Sequence, residues 1–168
     1  KRPQDFIKFC IMLNNYLPNL FTFEIFGTGY LKSEISNLIK MTSCPNQFKL
    51  YGKVKNISDY IKNPFALIVT SSFEGHQGVV GEAISSGIPV LSYPYDTFIK
   101  SFLRDCKVSR TSLECNPESL FNTFLSLYNQ NSSYDKDILN DRIFVLKKFS
   151  NTELTKAWIS FFNNFNHD

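Results

Sequence analysis

One stretch near the middle of the chain constrains its fold more than any other. Residues 65–69 form an unbroken apolar run, which is typical of a parallel strand covered on both faces. A polar turn and a loop bracketed by Gly75 and Gly78 follow, and then a short helix that ends at Gly87 before Pro89. A strand that passes through such a turn into a helix predicts an open α/β fold, in which ligands bind at the carboxyl edge of the sheet.

Two carboxylates lie on this turn, Glu74 in the loop and Glu82 in the helix. At the start of the helix, the backbone amides of Gly78, Val79 and Val80 are free to hold an anion such as a phosphate. Carboxylates do not favour phosphate, but they accept hydrogen bonds from hydroxyls. The turn therefore predicts a site for a ligand that carries both phosphate and sugar.

Helices and strands alternate along the rest of the chain. The sequence predicts helices over residues 2–16, 31–40, 97–104 and 117–128, one or two helical turns over 58–62, and two closing helices near 136–149 and 152–165. It predicts strands over residues 21–26, 48–51, 65–69, 89–92 and, as a weak edge strand, 107–110. This order predicts one α/β domain over residues 1–168, a Rossmann-like, doubly wound parallel sheet with helices on both faces.

Composition limits the class of protein. The 168 residues suffice for one domain but not for two, and 43% hydrophobic and 20% charged residues indicate a soluble globular chain. A net charge of +3 with scattered basic residues argues against nucleic acid, and no apolar run approaches a membrane span or a signal peptide. Free thiols in a reducing cytoplasm are expected, because no metal-finger spacing relates the four cysteines, Cys10, Cys44, Cys106 and Cys115.

Four short blocks occur in an order and at a spacing that point to one family. They are Phe-Gly-Thr-Gly at 26–29, Leu-Tyr-Gly-Lys-Val at 50–54, Ser-Phe-Glu-Gly at 72–75 and the segment 82–90. The chain resembles the retaining GT-B glycosyltransferases of family 4, the glycosyl transferases group 1, over roughly its first two-thirds. Glu74 and Glu82, with seven residues between them, look like the paired glutamates of that family.

The resemblance implies the donor-binding, C-terminal half of a hexosyltransferase. Such enzymes move a sugar from a nucleotide donor to an acceptor, and they stabilise the diphosphate leaving group with a helix start and basic side chains rather than a metal or other cofactor. We expect a UDP- or GDP-linked sugar as donor. A glycan, lipid-linked or polymer acceptor in bacterial cell-envelope polysaccharide synthesis, such as capsule, is the expected partner.

The resemblance also assigns roles to residues. Glu74 is the expected catalytic residue, in contact with the donor sugar near the reacting carbon, and Glu82 is expected to accept hydrogen bonds from the ribose. Lys1 stands where the family has a diphosphate-binding lysine, and Arg2 is the alternative. The substrate-binding residues that the resemblance implies are Lys1, Gly27, Gly29, Lys53, Val54 (the last two beside the nucleobase), Gly75, His76, Gln77, Gly78, Val79, Val80 and Glu82.

Three departures from the family pattern qualify these expectations. His76-Gln77 stands where Phe-Gly is commonest, which leaves the identity of the sugar open, with His76 either a ligand-binding residue or a variable loop position. The acceptor domain and the first strand of the donor domain are expected upstream of Lys1. Residues 1–168 are therefore expected to be inactive alone. The protein is expected in the cytoplasm, and any association with the inner face of the membrane is expected only through the missing half.

Other interpretations remain open or are set aside. A sugar-nucleotide epimerase of the same architecture and a non-catalytic GT-B-like binding domain both fit the sequence. An oxidoreductase does not, because residues 27–29 lack the third glycine of a dinucleotide fingerprint. Residues 135–137 resemble a metal-binding Asp-x-Asp, but they enter a helix, which favours capping. An apolar stripe in the last predicted helix is either core or the contact with the missing domain, and consists of Leu154, Ala157, Trp158, Phe161, Phe162 and Phe165.

Overall fold

The structure, a computed structural model, describes residues 1–75, 78–130, 134–153 and 155–156. The helices in these ranges are α1 (Pro3–Tyr16), α2 (Lys32–Lys40), α3 (Gly78–Ser85), α4 (Thr97–Arg104), α5 (Pro117–Tyr128) and α6 (Tyr134–Lys148). The strands are β1 (Phe23–Phe26), β2 (Phe48–Gly52), β3 (Leu67–Val69), β4 (Val90–Ser92) and β5 (Arg110–Thr111). The predicted alternation of helices and strands is confirmed.

All of these strands pair in parallel. β1 pairs with β2, and a second sheet has the order β3-β4-β5. Because the strands of a parallel sheet run in one direction, the connections that leave β3 and β4 start at the same edge. The predicted α/β fold class is confirmed, although the described strands hydrogen-bond as two sheets rather than one.

Alternate residues of β4 enter two hydrophobic cores. Leu91 packs in a core that also contains Phe23 of β1 and Phe48 of β2, so this core joins the two sheets. Val90 packs on the other face, in a core with Ile84 of α3. Since neighbouring residues of a strand point to opposite faces, the three-stranded sheet is covered on both sides. Burial of each such side chain stabilises the fold by about 1.5–3 kcal/mol.

The strands differ from the prediction at their ends, and β1, predicted from residue 21, begins at Phe23. β3 begins at Leu67 rather than at residue 65. The carbonyl of Phe65 accepts a hydrogen bond from the Tyr134 hydroxyl at 3.4 Å, and the Phe65 ring stacks on that of Tyr134. The edge strand predicted over 107–110 is wrong in its position, because the observed strand, β5, is Arg110–Thr111. The amides of residues 107–109 donate instead to the side chain of Asp141 on α6.

The remaining predicted segments are described in part. The turn predicted over 58–62 is a 3₁₀ turn at Ile57–Asp59, and Asp135 and Asp137 lie in the first turn of α6, where carboxylates complement the helix dipole. Of the last predicted helix, residues 151–153 and 155–156 are helical. The apolar stripe proposed for that helix lies outside the described residues.

Candidate functional site

A carboxylate and an ammonium group meet at the carboxyl edge of the three-stranded sheet. Glu74 lies in the connection from β3 to α3. One carboxylate oxygen, Oε1, accepts a hydrogen bond from the Ser71 hydroxyl, and the other, Oε2, pairs with the Nζ of Lys1. The Glu74 side chain is 11% exposed and that of Lys1 is 71% exposed, so a fixed carboxylate lies beside a charge that reaches solvent.

These contacts set the protonation state of Glu74. Burial acts to raise its pKa, but the hydrogen bonds from Lys1 and Ser71, together with the charge of Lys1, outweigh burial and lower the pKa below its usual value. Glu74 is therefore ionised at neutral pH. An ionised carboxylate at this position can accept hydrogen bonds from hydroxyls or stabilise a developing positive charge, but it has no proton to give.

The backbone before α1 is tied to the end of β3 by a buried threonine. The hydroxyl of Thr70 donates to the carbonyl oxygens of Lys1 and Arg2, 3.1 Å away in each case. Arg2 has a left-handed backbone conformation, with φ of 46° and ψ of 54°, which turns the chain into the helix. The position of Lys1 beside Glu74 is thus fixed by main-chain contacts as well as by its own side chain.

The guanidinium of Arg2 is engaged by three groups of the protein. It donates to the carbonyl of Cys115 at 2.8 Å, pairs with Asp5 at 2.6 Å and lies over the ring of Tyr93, 5.2 Å from its centroid. Asp5 is buried and also accepts a hydrogen bond from the Tyr93 hydroxyl at 3.0 Å. Of the two residues considered for a diphosphate contact, Lys1 presents its charge to solvent, and Arg2 anchors the start of α1.

The helix after this loop begins as the glycine-bracketed sequence predicts. α3 starts at Gly78, and its first turn includes Val79, which is partly exposed, and Val80, which is buried in the second core. Glu82 follows in the same helix and is exposed. Val80 can therefore serve a ligand only through its backbone. Gly75, in the loop, is exposed. His76 and Gln77, which are predicted to bind substrate, lie outside the described residues.

A second group of predicted residues lies at the carboxyl ends of β1 and β2. Gly27 and Gly52 have φ of 112° and 71°, a backbone region that favours glycine, and the Gly27 amide donates to the Gly52 carbonyl at 2.6 Å. Gly29 and Lys53 are exposed and Val54 is half-buried. These residues share the end of the two-stranded sheet, whereas Lys1 and Glu74 share that of the three-stranded one.

An aromatic cluster borders this glycine turn, and sequence reasoning missed it. The ring of Phe26 stacks on that of Tyr51, with centroids 4.8 Å apart and planes 8° apart, and Tyr60 contacts Tyr51 edge-on at 5.1 Å. The Tyr51 hydroxyl donates to Glu24 at 3.1 Å. Tyr60 is 43% exposed, so the cluster offers an aromatic ring at the surface. In a chain with 17 phenylalanines and eight tyrosines, no sequence pattern separates these rings from core rings.

The other site residues that sequence reasoning missed are buried polar groups: Asp5, Thr70, Ser71 and Tyr93. The signal that could have found them was the pair Thr70-Ser71, two polar residues directly after an apolar strand. Within the described ranges, no group of three or more His, Cys, Asp and Glu side chains could hold a metal ion. No described helix is long and apolar enough to cross a membrane.

Comparison with known families identifies the chain. The sequence profile described as glycosyl transferases group 1 matches residues 1–142. The chain belongs to this family. The matched range contains both glutamates of the predicted site, Glu74 and Glu82, and both glycine turns. The coarser part of the resemblance is therefore confirmed.

Curated relatives of this family member are much longer than the chain. The GtfA subunit of the UDP-N-acetylglucosamine–peptide N-acetylglucosaminyltransferase of Streptococcus agalactiae is 30% identical over 157 residues, which are 89% of this chain and 30% of the relative. The poly(glycerol-phosphate) alpha-glucosyltransferase of Bacillus subtilis is 29% identical over 136 residues, 80% of this chain and 20% of the relative. The chain thus spans less than a third of the length of either relative.

Solved structures of glycosyltransferases share its fold. TarM of S. aureus, solved with fondaparinux, alpha-GlcNAc-glycerol and UDP, superposes with a TM-score of 0.83 at 21% identity and covers 97% of this chain and 33% of TarM. The pneumococcal O-GlcNAc transferase GtfA, in complex with UDP and GlcNAc, gives 0.74 at 20% identity, over 100% of this chain and 34% of GtfA. The fold of this group 1 chain is that of one part of a GT-B enzyme.

Proposed function

We propose that this chain is the donor-binding half of a retaining, family 4 glycosyltransferase, and that it binds a nucleotide-diphosphate sugar at the carboxyl edge of β3 and β4. The observation that carries the proposal is the contact between Lys1 and Glu74 at that edge, directly before the start of α3. An exposed cation, an ionised carboxylate and a helix start are the three groups that a sugar diphosphate needs. Membership of the glycosyl transferases group 1 family supports the same activity.

The chemistry follows from these groups. In the transfer, the bond between the anomeric carbon and the diphosphate oxygen breaks, the acceptor oxygen bonds to that carbon, and the acceptor hydroxyl passes its proton to the departing diphosphate. Negative charge grows on the diphosphate, and positive charge grows on the sugar ring. The Lys1 ammonium and the amides at the start of α3 stabilise the negative charge on the diphosphate. The Glu74 carboxylate stabilises the positive charge on the sugar ring.

Recognition of the nucleotide is assigned to the remaining predicted residues. Glu82, exposed on α3, accepts hydrogen bonds from the ribose. The turn of Gly27 and Gly29, with Lys53 and Val54, borders the base, and the partly exposed ring of Tyr60 adds apolar surface there. UDP is the favoured nucleotide, because the S. agalactiae relative is named for UDP-N-acetylglucosamine and the TarM and GtfA structures hold UDP.

The acceptor is a glycan or polymer bound by another part of the protein. One relative is named for transfer to peptide and the other for transfer to poly(glycerol phosphate), and this chain spans less than a third of either. We therefore assign acceptor binding to an N-terminal domain and expect no turnover from residues 1–168 alone. A role in cell-envelope polymer synthesis in the cytoplasm, at the inner face of the membrane, completes the proposal.

Calorimetric titration of the intact protein that contains this chain tests the proposal. UDP is expected to bind, GDP and ADP to bind less tightly, and UDP-linked hexoses to yield a glycoside when acceptor is present. No binding of any nucleotide to the folded protein would contradict the donor site. Release of free sugar epimers instead of a glycoside would indicate an epimerase, and binding without any reaction would indicate a binding domain.

A further inference from the structure

The loop that leaves β4 contains a buried hydroxyl group that pairs with none of the described residues. Among the buried side-chain nitrogen and oxygen atoms of the described residues, the hydroxyl of Tyr95 is the one for which the structure gives no hydrogen bond. Most buried polar groups in proteins are paired, because an unpaired one loses its hydration and gains nothing in return. Within the described residues, the Tyr95 hydroxyl therefore contributes no hydrogen bond to the fold.

The same loop is held rigidly at the predicted donor edge. The amide of Tyr93 donates to the carbonyl of Val69, the last residue of β3, at 2.9 Å. At the other end, the Asp96 carboxylate caps α4 by accepting from the amide of Ile99 at 2.7 Å. The ring of Tyr95, between these two anchors, packs against both hydrophobic cores. Its position is thus fixed beside the connection that carries Glu74.

The surroundings of the hydroxyl favour its protonated form. Burial, with smaller contributions from the charges of Asp96 and Glu74, raises the pKa of Tyr95 to about 12. The hydroxyl therefore keeps its proton at neutral pH and can donate a hydrogen bond. Tyr95 and Glu74 lie in the connections that leave β4 and β3, two neighbouring parallel strands, so both connections start at the same edge of the sheet.

We propose that the Tyr95 hydroxyl helps to bind the nucleotide sugar. It donates a hydrogen bond to an oxygen of the sugar diphosphate held beside Glu74. This inference rests on the proposed function. The oxygens of Glu74 already accept from Lys1 and Ser71, whereas a sugar diphosphate brings several oxygens without partners. Because the ring is held by packing, the hydroxyl needs no ordering when the ligand arrives. Tyr95 then discriminates against ligands that lack the oxygen it pairs with.

The test compares two tyrosine-to-phenylalanine variants of the intact protein. Tyr95→Phe removes only the unpaired hydroxyl and keeps the ring in both cores. Tyr134→Phe is the matched control, because its hydroxyl is paired with the Phe65 carbonyl before β3 and so lies away from the carboxyl edge. Calorimetry with UDP and with UDP-N-acetylglucosamine measures affinity, and thermal unfolding measures stability.

For Tyr95→Phe we expect a melting temperature equal to or above that of the wild type and roughly tenfold weaker binding. Tyr134→Phe is expected to keep wild-type affinity. If Tyr95→Phe weakens the binding of both ligands, the partner oxygen belongs to the diphosphate. If it weakens the binding of UDP-N-acetylglucosamine alone, the partner oxygen belongs to the sugar. Wild-type affinity in Tyr95→Phe, or a clear fall in its melting temperature, would overturn the inference while the proposed function stands. If the wild type itself binds neither ligand, the proposed function fails and this inference fails with it.

Discussion

Two carboxylates in this molecule accept hydrogen bonds from different kinds of group. Asp141 on α6 is 2% exposed and accepts from the backbone amides of residues 107–109, with Oδ2 distances of 3.0 and 3.1 Å to the second and third. Glu74 accepts from two side chains, Ser71 and the largely exposed Lys1. Backbone amides cannot leave Asp141 without unfolding the loop, whereas Lys1 can exchange its carboxylate for a phosphate. The first arrangement holds the fold together, and the second is suited to binding a ligand.

The largest expected effect is a loss of activity on substitution of Glu74, which distinguishes it from Asp141. Glu74→Gln keeps the size of the side chain but removes the charge that would stabilise the sugar in the transition state. In the intact protein, the turnover number should fall by at least about 100-fold, with thermal stability close to that of the wild type. Steady-state kinetics with a UDP-sugar measures this effect, and turnover near the wild-type value would mean that Glu74 is not catalytic.

Asp141→Asn is the converse experiment. An amide retains one accepting oxygen and places a donor group against backbone amides that also donate, so the loop before β5 loses part of its anchoring. We expect a loss of about 2–3 kcal/mol in the free energy of unfolding, because hydrogen bonds to a charged group are involved. Turnover of the fraction that remains folded should be unchanged. Urea unfolding and kinetics at a temperature well below the transition provide the two readings.

Lys1→Gln should act on substrate binding more than on turnover of bound substrate. The loss of the ammonium group is expected to raise the KM for a UDP-sugar about tenfold, which corresponds to one charge-assisted hydrogen bond. Arg2→Gln is the comparison variant. It should lower stability through the contacts to Asp5 and Cys115, with a smaller effect on KM. Equal KM values for Lys1→Gln and the wild type would exclude Lys1 from the donor site.

The Lys1→Gln variant also tests the electrostatics of Glu74. In the wild type, the folded-state pKa of Glu74 lies below its unfolded value, so the resulting stability is present above the unfolded pKa and is lost as pH falls through the folded pKa. Without Lys1, the folded-state pKa rises towards the ordinary value and the variant has less stability to lose in acid. Urea unfolding from about pH 7 to 3 should therefore show a shallower loss for the variant. Parallel curves would mean that Lys1 does not perturb Glu74.

The smallest expected effect concerns the anchor beneath the site. Tyr93→Phe leaves Asp5 with Arg2 as its partner and removes one hydrogen bond, which should cost about 1 kcal/mol of stability. A slight displacement of the backbone before α1 would raise KM by a small factor and leave the turnover number unchanged. A reduced turnover number would place Tyr93 in the catalytic machinery rather than beneath it.

The sequence predicts most of the fold because its signals are local. The apolar run at 65–69 and the bracketing glycines indicate β3 and α3. α5 begins and ends at the predicted residues, 117 and 128, since Pro117 marks its start. The displaced edge strand depends on Asp141, more than thirty residues away along the chain, and no local pattern contains that contact.

The candidate site is predictable only in part for the same reason. Glu74 and Glu82 are recognisable from their spacing and context in the sequence. The charged partner of Glu74 is 73 residues away, and the choice between Lys1 and Arg2 depends on which of the two side chains meets Glu74. The buried network of Asp5 and Tyr93 decides that choice, and it appears only once α1 is packed against the sheet.

The most direct test of the central claim is a crystal structure of the intact protein with UDP bound. We expect the diphosphate at the start of α3, with the Lys1 ammonium moved from Glu74 onto a phosphate oxygen and the ribose hydroxyls on Glu82. UDP bound elsewhere, or bound with the contact between Lys1 and Glu74 unchanged and no phosphate near α3, would contradict the claim.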